Sequence, residues 1–218
     1  MTDSSAAGAA VYSPLTLALY DAWVLGISNR YAWRCTTDEV LLPFFRANVR
    51  AHHLDIGVGT GYYLAKAKLP VATQITLMDL NPSSLAAAKR RIGRSDTRTL
   101  QHDVMTPIPG NERFDSISLF YLLHCLPGPL AAKAAIFAHL KHNLNPDGVL
   151  FGATILGDEV GHNGFGRKLM AVYNKKGIFG NSQDTQAGFE AHLRTHFREV
   201  TLKREGVVLL FRAAQPIV

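Results

Sequence analysis

Cysteine is scarce in this chain: Cys35 and Cys125 are the only two among 218 residues. So small a supply excludes a disulfide framework, and their spacing matches neither a metal site nor a redox pair. Both are expected to be packed thiols, as a reducing cytosol would keep them, and a cytoplasmic protein is expected. Long apolar runs are missing too. Leu15 to Ile27 is interrupted by Asp21 and stops well short of the roughly 20 residues that a membrane span needs, so it reads as an amphipathic helical segment. Residues 1–10 are small and polar, include Asp3 and lack a basic stretch, which argues against a secretory signal and for a disordered tail. No repeat with a period of about 20 to 50 residues is visible, so a solenoid or propeller is not expected.

What the chain does have is the makings of one layered domain. A hydrophobic fraction of 47% is ordinary for a globular protein of this length. Apolar runs of strand length alternate with helical segments, the pattern of a doubly wound parallel sheet whose crossovers are helices. Glu199 to Arg204 and Val207 to Ala213 read as two strands joined at Glu205-Gly206, a link short enough only for a hairpin. The expected fold is α/β, a mostly parallel seven-stranded sheet with helices on both faces and a C-terminal antiparallel hairpin. Its expected divisions are a helical cap over 11–48, a core over 49–156, an inserted segment over 157–190 and the hairpin over 191–218.

The most informative stretch is His53-Leu54-Asp55-Ile56-Gly57-Val58-Gly59-Thr60-Gly61-Tyr62. It sets a carboxylate and three alternate glycines where a hydrophobic strand must turn into a helix. Glycines admit positive φ and let a ligand touch the backbone, and the exposed N–H groups offer hydrogen bonds. A dinucleotide site would read G-x-G-x-x-G; this turn reads G-x-G-x-G. Asp55 would repel a pyrophosphate and suit an ammonium group. A bare strand–helix turn without a ligand is the alternative. Gln74 to Leu80 is a second buried strand ending in Asp79, a carboxylate able to accept both hydroxyls of a ribose. Asn81-Pro82 reads as an N-cap with proline at the first helical position, opening a helix from Ser83 to Ile92. A third strand, Thr97 to Val104, is followed by a proline-rich loop.

With these spacings the chain resembles the class I S-adenosylmethionine-dependent methyltransferases. Gln101-His102-Asp103-Val104 resembles the family's adenine motif, with Asp103 accepting from the exocyclic amine and the Val104 N–H reaching a ring nitrogen; Asp103 as a simple turn residue is the other reading. Phe114 to Gly128, with Phe114-Asp115 and Leu123-His124-Cys125-Leu126, resembles the fourth motif of small-molecule members, including those of quinone biosynthesis. The resemblance covers roughly residues 50 to 156 and implies the cofactor S-adenosylmethionine, with S-adenosylhomocysteine as product. It implies cofactor contacts from Asp55, Gly57, Gly59, Gly61, Asp79, Leu80, Asp103, Val104, Leu119 and Phe120.

Two segments outside this core are expected to choose the acceptor. One is Tyr12 to Asn48, rich in aromatics; the other is Gly157 to Gly188, where glycine-flanked aromatics around a short helix near Leu169 to Asn174 suggest a mobile lid, or merely a long connection. Tyr20, Tyr31, Trp33, Tyr121, His124 and Phe165 are the candidate acceptor contacts, suited to a flat or apolar small molecule. His124 could remove a proton from a weakly acidic hydroxyl, or could hold a nearby loop by hydrogen bonding. Leu119-Phe120-Tyr121 lacks the Asn/Asp-Pro-Pro-aromatic signature for exocyclic or amide nitrogens, and no Pro-Cys pair is present for a cytosine adduct. The apolar strand end favours transfer without a metal, O-methylation slightly over N-methylation; Asp158-Glu159 read as solvated rather than as cation ligands. The surplus charge of +6, densest at Lys89-Arg90-Arg91 with Arg94 and Arg98, keeps open a nucleic-acid methyltransferase, against a solvated basic face. An NAD(P)-dependent oxidoreductase and a non-catalytic binder of S-adenosylmethionine are the remaining alternatives.

Overall fold

β-strands form where apolar residues alternate or run unbroken, and the seven found in this computed structural model, which describes residues 21–157 and 160–217, assemble into one sheet. They are β1 (His52–Ile56), β2 (Gln74–Asp79), β3 (Arg98–Gln101), β4 (Phe114–Phe120), β5 (Leu144–Ile155), β6 (Phe197–Glu205) and β7 (Val208–Pro216). The order is β3-β2-β1-β4-β5-β7-β6. Neighbours from β3 to β5 are parallel, while β7 is antiparallel to both β5 and β6. The chain therefore reverses strand order beside β1, where an open α/β sheet leaves a crevice at its carboxyl ends.

Among the described residues six α-helices cover the two faces: α1 (Leu42–Asn48), α2 (Tyr62–Lys66), α3 (Pro82–Ile92), α4 (Leu130–His142), α5 (Gly164–Lys175) and α6 (Gln186–His196). One core cluster joins Phe45 of α1, Leu64 of α2, Leu85 and Ala88 of α3 and Leu169 of α5 to Leu77, Phe120, Phe151 and Leu210 of the sheet. The other joins Ile136, Phe137 and Leu140 of α4 and Phe189 and Leu193 of α6 to Leu54, Ile56, Ile117, Leu119 and Phe211. Successive residues of a strand point to opposite faces, so Leu54 and Ile56 enter the second cluster while His53 and Asp55 face the first. Asn81 caps α3 as expected, its side chain accepting the Ser83 N–H at 2.8 Å. Among the described residues no helix is long and apolar enough to cross a membrane.

Four details differ from the sequence reading. The third strand stops at Gln101 rather than Val104, because Asp103 turns the chain by accepting the Met105 N–H at 2.9 Å. Asn145-Pro146-Asp147-Gly148, turn residues by type, fall within the start of β5 as a register shift opposite Phe114 to Ser116; Pro146, with no N–H, cannot continue the ladder there. The helix near Leu169 begins earlier, at Gly164, since Asn163 caps it by accepting the Gly166 N–H at 2.7 Å. Helix α6 was not foreseen, and the boundary expected at 190/191 falls inside it. Ahead of α1, Asp21–Ala32 and Thr37–Leu41 wind in π-type turns, with bonds such as Trp33 N–H to Ser28 C=O. Residues 1–10, Tyr12, Tyr20, Asp158 and Glu159 lie outside the described residues.

Candidate functional site

At the end of β1 the chain turns through Gly57, Gly59 and Gly61, with φ of 73°, 52° and 71°. The turn is closed by Gly57 N–H donating to Met78 C=O at 2.9 Å and Gly61 N–H donating to Val58 C=O at 2.8 Å. A methyl group on Gly61 would lie 2.8 Å from the Ala88 Cα of α3, whereas one on Gly59 would meet nothing within 4 Å. Gly61 thus serves helix packing, and Gly59 leaves backbone open to a ligand. The flank is braced by Arg91, which donates to Thr60 Oγ1 at 2.9 Å and lies 5.1 Å from the centroid of the Tyr62 ring. Helix α2 has only five residues, so a helix dipole contributes little here, and the Val58 and Gly59 N–H groups of the turn are directed at the Asp79 carboxylate.

Two carboxylates flank this turn. Asp55 is buried opposite Ser118, whose hydroxyl donates to it. Burial pushes its pKa up to about 7, with the Ser118 bond opposing and the Asp79 charge reinforcing the rise. Asp79 accepts the Asn81 N–H at 2.8 Å and further N–H groups from Gly59, Val58 and Leu80. Burial raises its pKa as well, and those hydrogen bonds hold it back. Gly57, Gly59, Gly61, Leu80 and both carboxylates are therefore brought together. Asp103 and Val104 follow the neighbouring strand end, where His102 N–H donates to Asp79 C=O at 3.2 Å. Asp103 commits Oδ1 to its own turn, and the Val104 side chain is buried.

Beyond β4 the sequence-derived residues separate. Leu119 is fully buried in the cluster under α4 and α6. Phe120 sits among Phe44, Phe45, Tyr63 and Phe151, with ring centroids 4.8 to 6.2 Å away, so both side chains serve the core and only their backbone reaches the crevice end. Tyr121 adopts φ 57°, a conformation that costs an L-residue energy, and its N–H donates to Ala153 C=O at 2.8 Å. His124 is buried; its Nδ1 accepts the Ile155 N–H at 3.3 Å and its C=O accepts the Gly180 N–H at 2.9 Å. Burial, with Lys133 nearby, lowers its pKa to about 3.

Around His124 the structure gathers Phe179 at 4.5 Å and Tyr121 at 5.5 Å between centroids. Tyr173 lies 4.9 Å from Phe179 and accepts from Trp23 Nε1–H at 2.9 Å, and Phe165 packs edge-on against Trp23. Trp33 is buried behind Phe179 and His162. Tyr31 is 59% exposed, joined to this region through its C=O, which accepts from Asn163. The sequence reading missed Tyr173 and the buried pair Lys133–Asp184, 2.5 Å apart, which with Lys133 to Gly180 C=O at 2.9 Å pins the loop that presents Phe179. The signal for the pair, a lysine on an apolar helix, was present but ambiguous.

Residues 54–150 match a family described as a methyltransferase domain. The chain is 48% identical to a physcion biosynthesis cluster O-methyltransferase of Aspergillus chevalieri, over 96% of this chain and 95% of that protein. It is 47% identical to the N-methyltransferase vrtF of Penicillium aethiopicum, over 98% and 90%. Its fold is shared with the N-methyltransferase NodS of Bradyrhizobium japonicum, solved with S-adenosylhomocysteine, at a TM-score of 0.63 and 16% identity over 93% of this chain and 98% of that one. Sheet order, glycine turn and near-full-length identity agree, and the chain belongs to the class I S-adenosylmethionine-dependent methyltransferase family.

Proposed function

We propose that this chain methylates a flat, largely apolar small molecule, at oxygen in preference to nitrogen. The observation that carries the reading is the open backbone at Gly59 between the buried carboxylate of Asp55 and the half-buried one of Asp79. Such a cradle fits S-adenosylmethionine: Asp55 would meet its ammonium group, Asp79 its ribose hydroxyls, and Asp103 with the Val104 N–H its adenine. When bound, it supplies a methyl group already activated as a sulfonium. The protein's task is then to align the acceptor and exclude water.

The aromatic group of Tyr121, His124, Phe165, Tyr173 and Phe179 forms the acceptor wall in this reading, with Trp33 supporting it from behind. His124 acts as a neutral donor. Because Nδ1 accepts from the Ile155 N–H, the neutral ring carries its hydrogen on Nε2 and has no free lone pair with which to act as a base. Leu119, Phe120 and Tyr121 at the strand end supply no carboxylates for a divalent cation, which favours transfer without a metal. The relatives' names, one an O-methyltransferase of a biosynthetic cluster, accord with a small acceptor.

Calorimetric titration with S-adenosylmethionine and S-adenosylhomocysteine, with NADH as control, tests the cofactor. Saturable binding of both sulfur ligands, weakened by Asp79→Ala, is expected, and binding of NADH alone would overturn the assignment. Release of S-adenosylhomocysteine across a panel of phenols, amines and thiols then tests the acceptor. Turnover confined to amines would refute the preference for oxygen, and none with any acceptor would leave a binder rather than an enzyme.

A further inference from the structure

On the sheet face under α1 and α3, one line of buried polar side chains runs beside the apolar Ile75, Leu77, Phe120 and Phe151. Register pairs His53 with Ser116 and Asp55 with Ser118 across β1 and β4, and the two-residue period puts all four on the same face. His53, Ser116 and Ser118 are fully buried and Asp55 is 7% exposed. Arg50 N–H donates to Ser116 Oγ at 2.9 Å, Ser116 Oγ lies 2.8 Å from His53 Nδ1, and His53 Nε2 lies 3.2 Å from Ser118 Oγ, which is bonded to Asp55 Oδ1.

The direction of these bonds follows from Asp55. An ionised carboxylate only accepts, so the single hydrogen of Ser118 goes to Asp55 and Ser118 must accept from Nε2–H. Nδ1 then accepts from Ser116, and every donor in the line points at the carboxylate. Add one proton to Asp55 and the order reverses. Asp55 donates to Ser118, Ser118 donates to Nε2, and the ring hydrogen resides on Nδ1, donating to Ser116. His53 stays neutral in both states, its pKa lowered to about 3 by burial.

We propose that Ser116, His53 and Ser118 form a positioning relay that holds Asp55 as an aligned anion for the ammonium group of the methyl donor. The proposal rests on the reading of that donor as S-adenosylmethionine. The charged and titratable groups acting on the relay are Asp79, facing Asp55 from β2, and His52, adjacent to His53 on β1. Phe45 of α1 and Phe151 of β5, packed on the His53 ring at 5.7 and 6.0 Å, carry no charge. Asp79 favours the protonated state of Asp55, and the aligned donors oppose it.

The test is the ¹⁵N NMR signature of His53 in ligand-free enzyme labelled at histidine, followed from pH 5.5 to 8.5 and assigned by through-bond correlation. The ring hydrogen is expected to move from Nδ1 to Nε2 as Asp55 ionises, and to stay on Nε2 across the range when S-adenosylmethionine is added. Ser118→Ala is expected to abolish that pH dependence and to weaken calorimetric binding of S-adenosylmethionine by roughly tenfold, the loss of one charge-assisted hydrogen bond. A tautomer that ignores pH, or that still follows it in Ser118→Ala, overturns the relay whether or not the donor binds. A tautomer that follows pH in an enzyme that binds no S-adenosylmethionine overturns the donor assignment while the coupling itself stands. The wild-type titration needs no substitution, so a variant that fails to fold does not spoil it.

Discussion

Burial decides what single residues can do here. His124 has its pKa lowered to about 3, so between pH 3 and 6.5 the unfolded chain binds a proton that the folded one does not. Its contribution to stability is complete above about pH 6.5 and is lost as pH falls toward 3. Asp55 runs the other way: raised to about 7, it contributes fully below its unfolded pKa of 3.8 and loses that contribution as pH rises through 7. Comparing His124→Asn with the wild type isolates the histidine. The penalty of the substitution measured by urea unfolding should shrink by about 1.4 kcal/mol per pH unit between pH 6 and 4.5; a penalty independent of pH would refute the buried neutral ring. The same variant retains a donor, so kcat should fall by less than about tenfold, against the roughly 10² to 10⁴ expected on removing a general base. The glycines separate in the same manner. Gly61→Ala combines left-handed strain with a clash against Ala88 backbone and should cost about 3 kcal/mol in chemical denaturation. Gly59→Ala should cost about 1 kcal/mol while weakening S-adenosylmethionine binding. Equal stability losses would contradict the difference in packing.

Among the elements, α4 does more than cover a sheet face. Lys133 projects from it to Asp184 and to Gly180 C=O, Gly180 N–H returns to His124 C=O, and Asn181 Nδ2 donates to Ile155 C=O at 2.9 Å. The loop carrying Phe179 is therefore tied to α4, to β5 and to the turn after β4, the opposite of what its glycines suggest when read alone. A buried ion pair contributes little net stability against an apolar pair of similar volume, but removal of one partner strands the other. Lys133→Met should therefore destabilise the fold by about 3 to 5 kcal/mol, and adding Asp184→Leu should restore most of the loss. Thermal melts of the single and double variants check this, and a double variant no more stable than the single one would refute it.

At the scale of the whole molecule, polar edges protect the sheet. β3 and β6 present mostly exposed side chains, among them Arg98, Arg198, Glu199, Lys203 and Arg204, and charged edges discourage pairing with another chain. Three arginines of the basic cluster are engaged within the molecule. Arg91 is held by Thr60 and Tyr62, Arg94 by Asp96 and the C=O groups of Pro70, Val71 and Thr73, and Arg98 by Glu112. Mixed RNA and DNA should accordingly give no gel shift at about 0.15 M salt, where exposed charges are screened beyond roughly 8 Å; a salt-sensitive shift would reopen nucleic acid as the acceptor. By itself the sequence determined the strands β1, β2 and β4, the capped start of α3, the C-terminal hairpin and the glycine–acid turn, because period, capping and turn chemistry act within a few neighbouring residues. Tertiary structure alone decided that Leu119 and Phe120 turn their side chains into the core, that Ser116 and Ser118 line up with His53 and Asp55, that Lys133 finds Asp184, and that His124 is neutral. Each of those depends on strand register and burial, which join residues as far apart in the chain as 63 for His53 and Ser116, and no local pattern encodes such distances.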